Sequence, residues 1–205
     1  MNLAHIIDDH DTDSTALIAR GRTTTYGQLR DQVDRFRGGL ASLGVGDGDR
    51  VALVLGNAPQ FVVSYLATLG LGAVAVPLNP TSPGPELEAE LAVVGPKVVV
   101  IDKTSAVNWS HVDPALLPTV DAVVSAEGSS DDVIGYDDLL ASAEARGIVD
   151  VDPSHLAVLM FTSGTAGAPR AAMLTHGNLL ANLDQSLSAE GHIDADDVIY
   201  GVLPL

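Results

Sequence analysis

The stretch that decides the fold is residues 156–182, LAVLMFTSGTAGAPRAAMLTHGNLLAN. It opens with an apolar run at 156–161, continues with a loop of small and hydroxyl residues that ends at Arg170, and closes with an apolar run entering a helical pattern. Proteins built on parallel sheets place ligand chemistry where a buried strand ends in a loop. Glycines in such a loop let backbone N–H groups approach a phosphate closely. The stretch therefore predicts a phosphate-binding loop.

Three common motifs fail the spacing test. A Walker loop requires G-x-x-x-x-G-K-[ST], but the fifth residue after Gly164 is Pro169, and the residue directly after Arg170 is Ala171, which has no hydroxyl. A dinucleotide fingerprint requires G-x-G-x-x-G, which the sequence Gly-Thr-Ala-Gly from Gly164 does not supply. A hydrolase nucleophile elbow requires G-x-S-x-G, and the residues before Ser163 are Phe and Thr.

The loop resembles the signature of the adenylate-forming superfamily, which includes acyl-CoA synthetases, aryl-CoA ligases, luciferases and the adenylation domains of peptide synthetases. That signature reads approximately [YF]-T-S-G-[ST]-T-G-x-P-K-G-V-x-x-[TS]-H-x-[NA], and it aligns with residues 161–178. The chain departs from it at Ala166, Arg170 and Ala171, where the signature has a hydroxyl residue, lysine and glycine. Arg170 keeps the positive charge but replaces a compact ammonium with a planar guanidinium.

The resemblance implies that this loop binds the β- and γ-phosphates of ATP. Backbone N–H groups would hold the phosphates, hydroxyls would donate hydrogen bonds, and a cation would neutralise the leaving pyrophosphate. The residues expected in these roles are Thr162, Ser163, Gly164, Thr165, Gly167 and Arg170, none of them a nucleophile.

The same resemblance implies an activity and its reactants. A carboxylate attacks the α-phosphorus of ATP, pyrophosphate leaves, and the thiol of CoA or of a carrier protein then displaces AMP. Mg²⁺ would accompany ATP, and a fatty acid is the expected acid because fatty-acyl ligases are frequent in the superfamily. A non-catalytic α/β module that binds a nucleotide or a partner protein is the alternative.

The length of the chain bears on this activity. Enzymes of the superfamily are considerably longer, and their acidic Mg²⁺ ligand, ribose-binding aspartate and C-terminal catalytic lysine would lie beyond Leu205. The resemblance therefore implies an N-terminal piece that is inactive alone. Apolar surface facing the missing part would allow such a piece to self-associate.

Strand and helix patterns alternate from Arg50 onwards, which predicts an α/β fold with a doubly wound, mainly parallel sheet and helices on both faces. Two units are expected: residues 1–50 as a hairpin and helix segment, and residues 51–205 as a sheet subdomain that carries the loop. Strands are predicted at 15–20, 23–26, 51–55, 73–77, 97–101, 120–125, 155–161 and 171–175, and helices at 26–43, 59–71, 85–94, 136–145 and 176–188.

Three local predictions can be tested directly. Residues 104–118, which contain Trp109 and two prolines, predict a loop. In the last helix Thr175 is expected to act as an N-terminal cap and not as an acid–base partner of His176. The leucines expected to point inward from that helix are Leu179, Leu180, Leu183 and Leu187.

Composition excludes several classes of function. The net charge of −17 argues against binding to nucleic acid, and the absence of cysteine excludes disulfides and thiolate zinc sites. The uncharged run at 58–85 is interrupted by Gly70, Gly72 and Pro77, so it predicts a buried helix and strand instead of a membrane span. The acidic start lacks the features of a signal peptide, and a cytoplasmic location is expected.

Overall fold

A computed structural model describes residues 1–162, 169–188, 194 and 197–201. In this part of the chain the strands are β1 (Thr15–Ala19), β2 (Arg22–Thr25), β3 (Arg50–Val54), β4 (Val74–Pro77), β5 (Val98–Ile101), β6 (Ala122–Ser125), β7 (Ile134–Gly135), β8 (Leu156–Phe161) and β9 (Ala171–Thr175). The α-helices are α1 (Tyr26–Ser42), α2 (Pro59–Gly70), α3 (Gly84–Val94), α4 (Lys103–Trp109), α5 (Tyr136–Ser142) and α6 (His176–Ser188). Two 3-10 helices span Leu3–Ile7 and Pro114–Leu116.

Seven strands form one sheet in the order β7-β6-β5-β3-β4-β8-β9, while β1 and β2 form a separate antiparallel hairpin. Neighbours in the large sheet run parallel, except that β9 returns antiparallel to β8. The ladder between β4 and β8 is short, with Ala75 opposite Val158. The β8–β9 hairpin therefore forms one edge of the sheet, and β7 forms the other.

Helices cover the sheet on both faces, which confirms the predicted doubly wound architecture. On one face α1, α2 and α5 bury side chains such as Phe36 and Leu66 against Val51 and Leu53. On the other face α3 and the segment after α4 bury Leu87, Leu91 and Val112 against the alternate strand positions. Because residues of β3 face apolar layers on both sides, Val51–Val54 are uniformly apolar and fully buried.

The hairpin and α1 lie where the sequence predicted them. Thr25 caps α1, since its Oγ1 accepts from the Gln28 N–H at 3.2 Å and the Gln28 Oε1 accepts from the Thr25 N–H at 3.0 Å. The apolar face of α1 joins the same core as α2 and β3. The division of the chain at residue 50 stays a prediction.

The predicted loop at 104–118 is wrong. Residues Lys103–Trp109 form α4 because Asp102 caps it, the Asp102 Oδ1 accepting from the N–H groups of Thr104 at 2.8 Å and Ser105 at 3.1 Å. A 3-10 turn follows at Pro114–Leu116. The inward orientation predicted for the end of α6 is also wrong, since Leu183 is 39% exposed and Leu187 is 54% exposed.

The long uncharged run divides into α2 and β4, as the sequence predicted. Across the described residues, none of the helices combines the length and the hydropathy that a membrane crossing requires.

Candidate phosphate-binding site

The candidate site is the connection between β8 and β9. Phe161 of β8 lies opposite Ala171 of β9, and the N–H of Thr162 donates to the carbonyl of Arg170 at 3.3 Å. Thr162 and Arg170 therefore stand at the two ends of the loop, next to each other. The other four predicted site residues, Ser163, Gly164, Thr165 and Gly167, lie outside the described residues.

Arg170 is an exposed cation at the C-terminal end of β8. Within the described ranges no carboxylate forms an ion pair with it. This matters in a chain with 27 acidic and 10 basic residues, because a guanidinium that is not neutralised locally keeps its charge for an anionic ligand.

A shallow groove of about 470 Å³ adjoins Arg170. Its walls are mostly apolar, and a second guanidinium, that of Arg50, stands in its lining. The Arg50 Nε donates to the carbonyl of Gly95 at 3.2 Å. The other residues that line the groove are Val93, Val94, Leu159, Pro169, Ala171 and Met173.

At the base of the hairpin, which is the end opposite to Arg170, β9 leads into α6 through a helix cap. The Thr175 Oγ1 accepts from the Asn178 N–H at 3.1 Å, and the Asn178 Oδ1 accepts from the Thr175 N–H at 3.0 Å. This reciprocal pair confirms that Thr175 caps α6. The adjacent His176 is fully buried, and its Nδ1 accepts a hydrogen bond from the N–H of Leu3 at 3.0 Å.

Burial, together with the smaller effects of the nearby His155 and amino terminus, lowers the pKa of His176 from 6.5 to about 4. The imidazole is therefore neutral at neutral pH. Because it is enclosed at the opposite end of β9 from Arg170, it does not serve as an acid–base group at the loop.

The centre of the sheet is the other place where an α/β fold binds nucleotides. The connections after β3 and β5 lead to helices on opposite faces, which defines a topological switch point. Here the Asp102 Oδ2 accepts from the N–H of Gly56 at 2.9 Å while its Oδ1 caps α4. A carboxylate already bonded to these amides disfavours a phosphate at this crevice, and so favours the β8–β9 loop instead.

Sequence reasoning missed Asp102, although its signal was present. The segment Asp102-Lys-Thr-Ser follows an apolar strand and carries a cap residue with a hydroxyl three residues later. Elsewhere, no three His, Asp or Glu side chains of the described residues converge closely enough to hold a metal ion.

The comparisons with known proteins agree with this geometry. The profile of the family described as "AMP-binding enzyme" matches residues 5–205. The chain belongs to this family, and with it to the adenylate-forming superfamily.

Among its relatives, 4-coumarate–CoA ligase 3 of Oryza sativa subsp. japonica is 32% identical, over 90% of this chain and 33% of the relative. The corresponding ligase 4 of Arabidopsis thaliana is 30% identical, over 96% of this chain and 36% of the relative. This chain thus spans about a third of the length of the curated relatives it matches.

Solved structures of CoA ligases share the fold. A long-chain-fatty-acid-CoA ligase from Archaeoglobus fulgidus superposes with a TM-score of 0.86 at 26% identity, covering 99% of this chain and 42% of that one. An anthranilate CoA ligase in complex with anthranoyl-AMP gives a TM-score of 0.81 at 23% identity, covering 86% of this chain and 35% of that one, which shows likeness of fold alone.

Proposed function

We propose that these 205 residues are the N-terminal part of an AMP-forming acid–thiol ligase, which activates a carboxylic acid with ATP and transfers the acyl group to CoA. The observation that carries the proposal is a β8–β9 hairpin that presents Arg170, exposed and without a carboxylate partner among the described residues, at the end of a loop carrying the adenylate-forming signature. Membership of the AMP-binding enzyme family supports it.

In this proposal the loop binds the polyphosphate of ATP. Arg170 stabilises the negative charge that accumulates on pyrophosphate as it leaves, and the hydroxyl of Thr162 donates a hydrogen bond. The hydroxyls and amides of Ser163, Gly164, Thr165 and Gly167 are proposed for the same task. The groups present suit a polyanion, because they are donors and a cation.

Mg²⁺ would enter with ATP and be held mainly by its phosphates. The described residues offer no cluster of three acidic or histidine ligands for it. A remaining protein ligand is proposed to belong to the part of the enzyme beyond these residues, together with the catalytic lysine. The isolated chain is accordingly proposed to form no thioester.

Two classes of carboxylic acid are candidates for the substrate. A fatty acid is our first proposal, and the structural likeness to a long-chain-fatty-acid-CoA ligase supports it. An aromatic acid is the second candidate, because the relatives cited are named 4-coumarate–CoA ligases. Direct comparison of the two classes of substrate decides between them.

The proposal is tested by acid-dependent exchange of labelled pyrophosphate into ATP, using the complete protein and a panel of fatty and aromatic acids. Arg170→Ala is expected to lower the exchange rate by about a hundredfold, since a charge-stabilising donor is lost, and Arg170→Lys should lose less. Arg35→Ala is the matched control, because Arg35 pairs with Asp31 on the exposed face of α1.

If Arg170→Ala exchanges pyrophosphate into ATP at the rate of the original protein, Arg170 and its loop do not take part in the reaction. Absence of exchange with every acid would favour the alternative, a nucleotide- or partner-binding module without chemistry.

A further inference from the structure

His176 is the least expected polar side chain of the core. It begins α6 directly after β9, and it is fully buried. Among the described residues its side chain has one hydrogen bond, which joins residues far apart in the chain, since the N–H of Leu3 donates to the His176 Nδ1 at 3.0 Å. The Nε2 is also buried and has no hydrogen-bond partner in the described structure.

The hydrogen bond fixes the tautomer of the ring. An amide N–H can only donate, so the His176 Nδ1 must carry a lone pair and the proton must be on Nε2. Protonation of Nδ1 would turn the acceptor into a second donor facing the Leu3 N–H. The contact therefore requires a neutral imidazole.

The segment that carries Leu3 is itself firmly attached to the body of the protein. The Asn2 side chain is buried, its Nδ2 donating to the carbonyls of Leu69 at 2.6 Å and Val149 at 2.9 Å. Its Oδ1 accepts from the N–H of Ala4 at 2.9 Å, which caps the first 3-10 helix. Leu3, Ala4 and Ile7 are buried in the core.

Among the described strands, β8 alone joins the β8–β9 hairpin to the rest of the sheet, and the base of the hairpin carries further hydrogen bonds. The ladder of β8 with β4 is short, and β9 is the last strand of the sheet. At the base, the His176 N–H donates to the carbonyl of His155 at 3.1 Å and the Gly177 N–H donates to that of Pro153 at 2.8 Å. These bonds join the two strands of the hairpin to each other.

Two histidine side chains then attach this base to the body. The His155 Nε2 donates to the carbonyl of Gly72 at 2.9 Å, in the turn before β4. The His176 Nδ1 binds the N-terminal 3-10 helix, and the two ring centroids are 6.2 Å apart. Two side chains at the end opposite to Arg170 therefore help to fix the position of the hairpin.

We propose that His176 is a positioning residue for the phosphate loop: by accepting the Leu3 N–H it fixes the base of the β8–β9 hairpin to the N-terminal 3-10 helix. The orientation of β9 in turn determines where Thr162 and Arg170 meet a ligand. This inference rests on the proposed function for its purpose, but the attachment itself can be measured without a nucleotide.

The first experiment follows the hairpin in the 205-residue chain by hydrogen exchange and by tryptic cleavage of the Arg170–Ala171 bond. His176→Leu leaves the Leu3 N–H without an acceptor and is expected to raise cleavage and exchange in β8 and β9 on the order of tenfold. His176→Asn places an amide oxygen near the position of Nδ1, so it should restore rates to within about twofold of the original.

Variants at the donor complete the test. Leu3→Pro removes the N–H at the first position of a helix, where proline is tolerated, whereas Leu3→Ala shortens the same side chain and keeps the N–H. Leu3→Pro should open the hairpin as His176→Leu does, and the double variant should open it no further. Leu3→Ala should open it less than Leu3→Pro.

A merely structural role for His176 is tested with Val33→Ala, which removes buried atoms from α1, an element outside the β8–β9 hairpin. This variant should raise exchange across the core, without selectivity for β8 and β9. Three results would overturn the proposal: uniform exchange in His176→Leu like that of Val33→Ala, no difference between His176→Asn and His176→Leu, or unchanged hairpin opening.

ATP with Mg²⁺ distinguishes this inference from the proposed function. If the loop binds polyphosphate, ATP should slow cleavage after Arg170 in the original chain and less so in His176→Leu. Selective opening by His176→Leu together with absence of ATP protection would refute the proposed function while leaving the attachment of the hairpin established.

Discussion

Gly38 shows how closely α1 is packed. A Cβ built at this position would lie 1.8 Å from the backbone carbonyl oxygen of Glu144, a contact that only a shift of the backbone could relieve. Gly38→Ala should therefore lower the free energy of unfolding by about 1–3 kcal/mol, although alanine is the better helix former. Urea denaturation measures the change.

Gly46 is the matched control for this substitution. A Cβ at Gly46 meets no atom within 4 Å, so Gly46→Ala should change the unfolding free energy by less than about 0.5 kcal/mol. A Gly38→Ala protein as stable as Gly46→Ala would contradict the described packing of α1 against residues 143 and 144.

The buried His176 predicts a pH dependence of stability. Burial, and then the neighbouring His155 and amino terminus, lower its pKa from 6.5 to about 4 in the folded protein. Between these two values the unfolded chain binds more protons than the folded chain, so the unfolding free energy should fall as the pH drops from 6.5 towards 4. Above pH 6.5 this contribution is fully present.

His176→Asn should remove this contribution, because its amide does not titrate. Urea denaturation at pH 7 and pH 5.5 should therefore show a smaller loss of stability in His176→Asn than in the original chain. Equal losses in both proteins would show that the imidazole is not shielded from solvent.

At the scale of single residues, the sequence predicted what depends on near neighbours. The cap formed by Thr175 and Asn178 lies within three residues, and the pattern that places Arg170 at the end of a small-residue loop is also local. The partner of His176 could not be predicted in this way, since Leu3 lies 173 positions earlier.

At the scale of elements, Asp102 joins two parts of the sheet. It caps α4 through Oδ1 and accepts the N–H of Gly56 through Oδ2. Asp102→Ala should lower the unfolding free energy by about 2 kcal/mol, because both the helix cap and the bond to Gly56 are lost. Thermal or urea unfolding measures this loss.

Asp113→Ala provides a control, since Asp113 caps only the short 3-10 turn through the Ala115 N–H. It should cost less than Asp102→Ala, and Asp102→Asn should lie between them because the amide oxygen can still cap α4. Equal stability of Asp102→Ala and the original chain would show that the link between β3 and β5 contributes nothing.

Elements with strong hydrophobic periodicity were predicted. The helix whose formation depends on a capping residue was missed. The apolar face of α1 and the buried run of β3 predict their structures directly. Helix α4 has only seven residues, two of them β-branched, and forms behind a capping aspartate; the pattern therefore favoured a loop. Leu183 and Leu187 have the spacing of a buried helical face, but spacing alone does not show whether another element covers that face. In the structure both side chains are exposed.

The whole molecule exposes apolar side chains at the edge formed by β8, β9 and α6. The most exposed is Met173 at 68%, and Leu187 follows at 54%. The self-association expected from the sequence therefore stays a prediction with a defined surface. Sedimentation at increasing concentration should show association that the double substitution Met173→Asp and Leu187→Asp weakens, and a strictly monomeric original chain would contradict it.

The parallel sheet could be predicted from alternating strands and helices, but its strand order could not. The pattern does not reveal that β3 lies between β4 and β5. It also does not reveal that β8 pairs with β4, which lies far earlier in the sequence. Those neighbours depend on long-range packing of both sheet faces. The candidate loop was found only because its residues are contiguous.

The most direct measurement of the central claim is calorimetric titration of the 205-residue chain with ATP and Mg²⁺. The original chain and Arg35→Ala should bind with the same Kd, whereas Arg170→Ala should bind at least about tenfold more weakly because a charged hydrogen bond to phosphate is lost. Arg170→Ala binding with an unchanged Kd would contradict the assignment of this loop to the polyphosphate of ATP.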